Sequence, residues 1–157
     1  MKKVYIAAPL FNEMELKRNL EIADYLKKIG YDTYLPQNEV GLAYDMINDN
    51  NIQEVNKRIF ESDIVGILSC DILLFLLDGR VPDEGACVEL GMAYAWKKKC
   101  VGFKTDTRAL DKTGDDNLFI EGCFNFKVAH NLDELKNYLE EWGGIYEGEF
   151  NYYRWYI

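Results

Sequence analysis

A chain of 157 residues is long enough for one domain with a substantial core, and 48% hydrophobic content fits a folded globular protein rather than a disordered one. The net charge of −9 argues against a nucleic-acid backbone or an anionic membrane as partner, but it does not disfavour a neutral small molecule. Four cysteines without a C-x-x-C pair and a single histidine, His130, do not make a metal site, so neither metal nor cofactor is expected.

Met1-Lys-Lys leads straight into a short strand without a secretory leader, and no apolar run reaches the roughly 18 residues of a membrane span. The expected compartment is therefore the reducing cytoplasm, with buried free thiols at Cys70, Cys87 and Cys100.

Lys3 to Ala8 predicts the first strand. After the turn Ala7-Ala8-Pro9-Leu10-Phe11, Asn12 is a good N-cap for a helix that runs to Ile29 and stops at Gly30. Its apolar stripe is Leu16, Leu20, Ala23, Leu26 and Ile29. The turn carries no G-x-G-x-x-G fingerprint, but the small Ala7 and Ala8 admit a ligand close to the backbone. Tyr31 to Leu35 predicts a second strand. Pro36 to Asn50, with Gly41 and three asparagines, predicts a long loop serving as a lid or a subunit contact. A helix from about Asn51 to Ser69 follows, with Ile52, Val55, Ile59, Val65 and Leu68 in register. Asp63 falls inside it, and Gly66 suggests a break.

The chain is organised around the next stretch. Ile72 to Leu77 is a run of six apolar residues, which without alternation reads as a strand buried on both faces of a parallel sheet. Asp78-Gly79-Arg80-Val81-Pro82 is a turn. Asp83 then suits the N-cap and Glu84 the first turn of a helix carrying Val88, Met92 and Ala95. Strand, loop, helix at the carboxyl end of a central strand is where open α/β sheets bind ligands. Glu89, two turns into that helix and surrounded by small residues, is a carboxylate that needs a partner or a purpose.

Lys97-Lys98-Lys99 complements the negative end of its helix. Cys100 to Lys104 predicts a fourth strand. Thr105 to Asn117 is a polar loop with Arg108, either a surface residue or an anion ligand. Phe126 to Ala129 predicts a fifth strand, and a helix capped by Asn131 runs to Trp142. The aromatic tail from Ile145 to Ile157 is expected to pack on its own or a neighbouring subunit, all within a single domain spanning 1–157.

Asp83-Glu84-Gly85-Ala86-Cys87-Val88-Glu89-Leu90-Gly91-Met92-Ala93-Tyr94, following a buried strand and Asp78-Gly79-Arg80, resembles the signature of the nucleoside 2-deoxyribosyltransferases. Val4-Tyr5-Ile6-Ala7-Ala8-Pro9-Leu10-Phe11, Glu61-Ser62-Asp63, Thr105 to Arg108 and Asp116-Asn117-Leu118 extend the likeness. The resemblance implies a flavodoxin-like, doubly wound, five-stranded and mainly parallel sheet in a three-layer α/β/α fold. It implies transfer of 2-deoxyribose between nucleobases through a covalent glycosyl-Glu89. Asp83 would contact the base, Asp63 would be a further site carboxylate, and Tyr5 would orient the nucleophile. Substrate would bind at Ala7, Phe11, Asp78, Gly79, Gly85 and Asn117, the last reaching a neighbouring subunit's site. The implied partners are deoxynucleosides, free nucleobases and further copies of the chain, in a homo-oligomer between dimer and hexamer. Ala7-Ala8-Pro9 departs from the Gly-Ala-Gly of some members, and the tail departs as well.

The residues suit that chemistry. Breaking an N-glycosidic bond builds positive charge on the anomeric carbon, which a carboxylate stabilises or captures, while a second group protonates the departing base. Clustered carboxylates repel, so one pKa should rise, as a proton donor requires. Two other readings stand beside it. A nucleoside or nucleoside monophosphate N-glycosidase would pass the same intermediate to water, with Arg80 and Arg108 as candidate phosphate ligands. A non-catalytic nucleotide-binding module would not need Glu89 and Asp83 together.

Overall fold

The computed structural model describes residues 1–38, 51–79, 81–106 and 117–141. Strands β1 (Lys3–Ala7), β2 (Asp32–Tyr34), β3 (Ile72–Leu76), β4 (Lys99–Phe103) and β5 (Val128–Ala129) form one sheet in the order β2-β1-β3-β4-β5. All four pairings are parallel, so the doubly wound sheet is entirely, not mainly, parallel. Parallel neighbours need crossovers, and the connections carry helices α1 (Glu13–Lys28), α2 (Ile52–Ser69), α3 (Glu84–Ala95) and α4 (Leu118–Gly122), while α5 (Leu132–Glu140) follows the last strand.

The central strands are buried on both faces, and alternation sorts their side chains into two cores. Val4, Ile6, Ile72, Leu74 and Leu76 pack with Ile22, Ala23 and Leu26 of α1 and with Leu135 and Leu139 of α5. Tyr5, Ala7, Leu73, Phe75 and Leu77 pack with Ile67 of α2, with Ala86, Leu90 and Ala93 of α3, and with Phe124. The strand order reverses between β1 and β3, so their carboxyl ends flank the crevice where doubly wound sheets take ligands.

Local chemistry sets the helix ends. Asn12 Oδ1 accepts from the Met14 and Glu15 N–H groups, and Glu15 reaches back to accept from Phe11 N. Gly30, at φ 93°, closes α1: its own N–H reaches Lys27 O while Tyr31 N reaches Leu26 O.

Several expectations are corrected. Gly66 does not break α2, which is continuous from Ile52 to Ser69. Val55 is buried, but Ile52, Val65 and Leu68 face outward, so the expected stripe of α2 is not its buried one. Lys98 and Lys99 do not serve their own helix. The Lys98 ammonium donates to Leu68 O and Cys70 O at the end of α2, and that of Lys99 donates to Leu139 O and Glu141 O at the end of α5. Strand β5 shrinks to Val128–Ala129, because Asn125 and Phe126 both take positive φ in the turn after α4, itself unforeseen. The lid expected within 36–50 lies past Asn38 outside the described residues, as do Arg80, Arg108, Trp142 and the aromatic tail.

Candidate active site

The site is built on Tyr5, the middle residue of β1, whose ring is fully buried on the α2/α3 side of the sheet. A buried phenol needs a hydrogen-bond partner. Its hydroxyl donates to Glu89 Oε1 at 2.6 Å, the length of a charge-assisted bond. Burial first, then the nearby Glu89 and Asp63 carboxylates, hold the Tyr5 proton far above the ordinary phenol range. Tyr5 is thus a fixed donor at any physiological pH.

Glu89 reaches Tyr5 because of where α3 starts and which face it buries. Asp83 caps the helix, its Oδ1 accepting from Ala86 N at 2.7 Å. Ala86, Leu90 and Ala93, spaced three and four apart, then seat α3 on the sheet. Glu89 sits at the flank of that stripe, so its carboxylate is carried inward toward β1. Burial raises its pKa to about 7; the charges of Asp63 and Asp83 push the same way, and the Tyr5 hydrogen bond pulls against them. Asp63 enters from α2 with its Oδ1 fully buried. The carboxylate whose proton affinity rises is Glu89, the proposed nucleophile itself.

The structure therefore brings Tyr5, Asp63, Asp83 and Glu89 into one electrostatically coupled group. Ala7, two residues beyond Tyr5 on the same face, is buried and keeps the floor of the crevice low. Gly85 leaves the Asp83 carboxylate uncrowded: a Cβ there would come within 3.2 Å of Asp83 Oδ1. Gly79, at φ 125°, adopts a conformation that suits glycine, and its N–H donates to Asp106 Oδ2. Asp78 is tied across the sheet edge, accepting from Thr105 N, Thr105 Oγ1 and Asp106 N, with Arg18 4.0 Å away. Its carboxylate joins the loops after β3 and β4. Phe11 is 77% exposed beside the start of α1. Asn117 is exposed and caps α4, accepting from Phe119 N.

Sequence reasoning passed over Tyr34. It lies opposite Tyr5 in register, and the two rings stack 5.2 Å apart at an interplanar angle of 10°. Only strand pairing reveals it, and nothing in Asp32-Thr33-Tyr34 taken alone does.

The all-parallel sheet makes this an α/β protein of the doubly wound class. The chain belongs to the nucleoside 2-deoxyribosyltransferase family, whose model matches residues 4–140; members of that family are enzymes that act on nucleosides. Among solved structures, a conserved protein from Enterococcus faecalis V583 is 28% identical, with a TM-score of 0.69 over 89% of this chain and 96% of that one. A 2-deoxyribosyltransferase from the psychrotolerant bacterium Bacillus psychrosaccharolyticus is 23% identical, with a TM-score of 0.71 over 86% and 90%. A CMP N-glycosidase from Clostridium botulinum is 18% identical, with a TM-score of 0.56 over 88% and 98%. At those identities the last two speak for the fold alone. No curated protein matches the sequence. No helix among the described residues is long and apolar enough to cross a membrane.

Proposed function

We propose that the protein transfers 2-deoxyribose between nucleobases in cytoplasmic nucleoside salvage, with Glu89 as the nucleophile. The observation that carries this reading is the half-buried Glu89 carboxylate held 2.6 Å from the Tyr5 hydroxyl, with Asp63 and Asp83 close enough to act on it. Glu89 attacks the anomeric carbon, the C–N bond breaks, and its electron pair leaves with the base. Asp83, at the mouth of α3, supplies the proton or hydrogen bond that the departing base needs. An incoming base then attacks the same carbon and releases the Glu89 carboxylate. Tyr5 holds the carboxylate oxygen that is not bonded to sugar, and Asp63 faces the positive charge that develops on the ring.

Part of the site is proposed to come from a neighbouring subunit. Past Glu84, the outer side of helix α3 is apolar: Val88 and Tyr94 are exposed, and Gly91 and Ala95 lie between them. An exposed apolar patch of this kind suits a subunit contact.

Incubation with deoxyinosine and free adenine tests the reading. Deoxyadenosine should form. Release of free deoxyribose without deoxyadenosine would instead mean that the intermediate goes to water and that the enzyme is an N-glycosidase. Absence of both products would leave a binding module.

A further inference from the structure

Tyr34 touches every element that meets at the candidate nucleophile except the helix carrying it. It closes β2, next to Tyr5 in the sheet, with its ring stacked on that of Tyr5. The Lys3 ammonium lies 5.7 Å from the Tyr34 ring centroid. Against α2, the ring fills the place of a side chain: a Cβ on Gly66 would meet Tyr34 Cε1 and Cζ at 2.6 Å. A mid-helix glycine weakens a helix relative to alanine, so Gly66 is a concession that lets the ring in. The Tyr34 hydroxyl is 2.9 Å from Ser62 Oγ and 3.1 Å from Ser62 O, the residue before Asp63.

We propose that Tyr34 is a positioning residue for Glu89: wedged between Tyr5 and α2, it fixes both the Tyr5 hydroxyl that grips the Glu89 carboxylate and the spacing of Asp63 from that carboxylate. This rests on the reading of Glu89 as nucleophile. The mechanism is geometric. The long Tyr5 side chain can tilt about its side-chain torsions, and stacking on Tyr34 removes that freedom on one side. Misplacement by about 1 Å in such a constellation costs on the order of 10²-fold in rate.

The groups that act on the Glu89 carboxylate are Tyr5 from β1, Asp63 from α2 and Asp83 from the head of α3. Of these, the Tyr5 hydrogen bond is the influence that lowers its proton affinity, and Tyr34 holds Tyr5. Loosening Tyr34 should therefore raise the pH at which Glu89 ionises.

The test reads that pH directly. In substrate-free protein carrying 13C-labelled glutamate, the Glu89 carboxyl signal, assigned by its loss in Glu89→Gln, is titrated in the wild type, Tyr34→Phe, Tyr34→Leu, Gly66→Ala, and the Tyr34→Leu/Gly66→Ala pair. Tyr34→Leu should move the midpoint upward by about half a unit or more, the scale on which a hydrogen bond shifts a carboxylate. Gly66→Ala, which pushes an unaltered ring, should move it the same way. Tyr34→Phe keeps the stack and should move it least. The pair makes room for the added methyl and should regain thermal stability without regaining the midpoint, which separates positioning from mere packing. On deoxyinosine, Tyr34→Leu should lose kcat more than it raises KM. A Glu89 midpoint equal to wild type in folded Tyr34→Leu and Gly66→Ala overturns the proposal, as does a midpoint in the pair that recovers along with stability. Because the titration needs no turnover, it remains readable if transfer itself is absent, so failure of the functional reading is distinguishable.

Discussion

The two faces of one sheet are used differently. Toward α1 and α5 the strands present Val4, Ile6, Leu74 and Leu76 to Ile22, Leu26, Leu135 and Leu139, aliphatic on aliphatic. Toward α2 and α3 the next residues along the same strands include Tyr5, whose polar end is answered by a carboxylate. The first face holds the molecule together through apolar burial, about 1.5–3 kcal/mol for each large side chain. The second gives up some of that stability to keep a proton-hungry glutamate next to a phenol and other carboxylates. Adjacent residues of β1 thus serve opposite ends, because a strand sends alternate side chains to opposite faces.

The sharpest way to break this contrast is one alanine on each face. Glu89→Ala should abolish base exchange, by 10³-fold or more on the order of a lost nucleophile, with the fold intact. Ile22→Ala should cost about 2–5 kcal/mol of stability, yet leave activity per folded molecule near that of the wild type. Denaturant melts and initial rates on the same samples check both. An active Glu89→Ala protein would sink the mechanism.

Much of this contrast was legible before the fold was known. The uninterrupted Ile72–Leu77 run marked the central strand and Asp83 marked a helix cap, and both stand in the structure, although α3 buries Ala86, Leu90 and Ala93 rather than the expected Val88, Met92 and Ala95. Nearly everything missed depends on pairing across the chain. Gly66 looks like a helix breaker until Tyr34 is seen filling its Cβ position. Lys98 and Lys99 look like complements to their own helix until Leu68 O and Leu139 O arrive from others. α4 was overlooked because Leu118 to Gly122 is a single short turn, too brief for periodicity to show.

Glu89 also makes the contrast depend on pH. Its folded pKa, about 7, lies above its ordinary value of 4.5. The folded state therefore holds this proton more tightly, and stability from this group is full below about pH 4.5 and declines as pH rises through about 7. Glu89→Gln keeps an acceptor for Tyr5 and removes the ionisation. It should match the wild type at pH 4.5 and exceed it by about 3 kcal/mol above pH 7, taking roughly 1.4 kcal/mol per unit. The same ionisation should give kcat/KM an acid limb, falling tenfold per unit below about pH 7. Equal pH–stability curves for the two proteins would show that Glu89 is not desolvated as described.

Asp83 sharpens the picture within the polar face. Asparagine caps helices about as well as aspartate, so Asp83→Asn should keep α3 and stay within about 1 kcal/mol of wild-type stability. Exchange from poor leaving bases should fall by about 10²-fold, the scale of a lost general acid, and exchange from good ones much less. An equal fall with both classes would mark Asp83 as a cap and nothing more.

The smallest effect is expected where the polar face meets a neighbour. Asn117 Oδ1 already caps α4 through Phe119 N, so alanine there confounds two roles. Serine also caps but lacks the amide, and Asn117→Ser should therefore leave the thermal midpoint nearly unchanged. If Asn117 completes the pocket of an adjacent subunit, Asn117→Ser should raise KM several-fold, the scale of one or two lost hydrogen bonds. Mixing Glu89→Ala with an Asn117→Ala protein of low activity should then restore activity, since a hybrid assembly holds one site with both groups intact. Light scattering sets the frame. A fully active monomer at assay concentration excludes the shared site, and would require the outward Val88 and Tyr94 of α3 to stay exposed to water in the working enzyme.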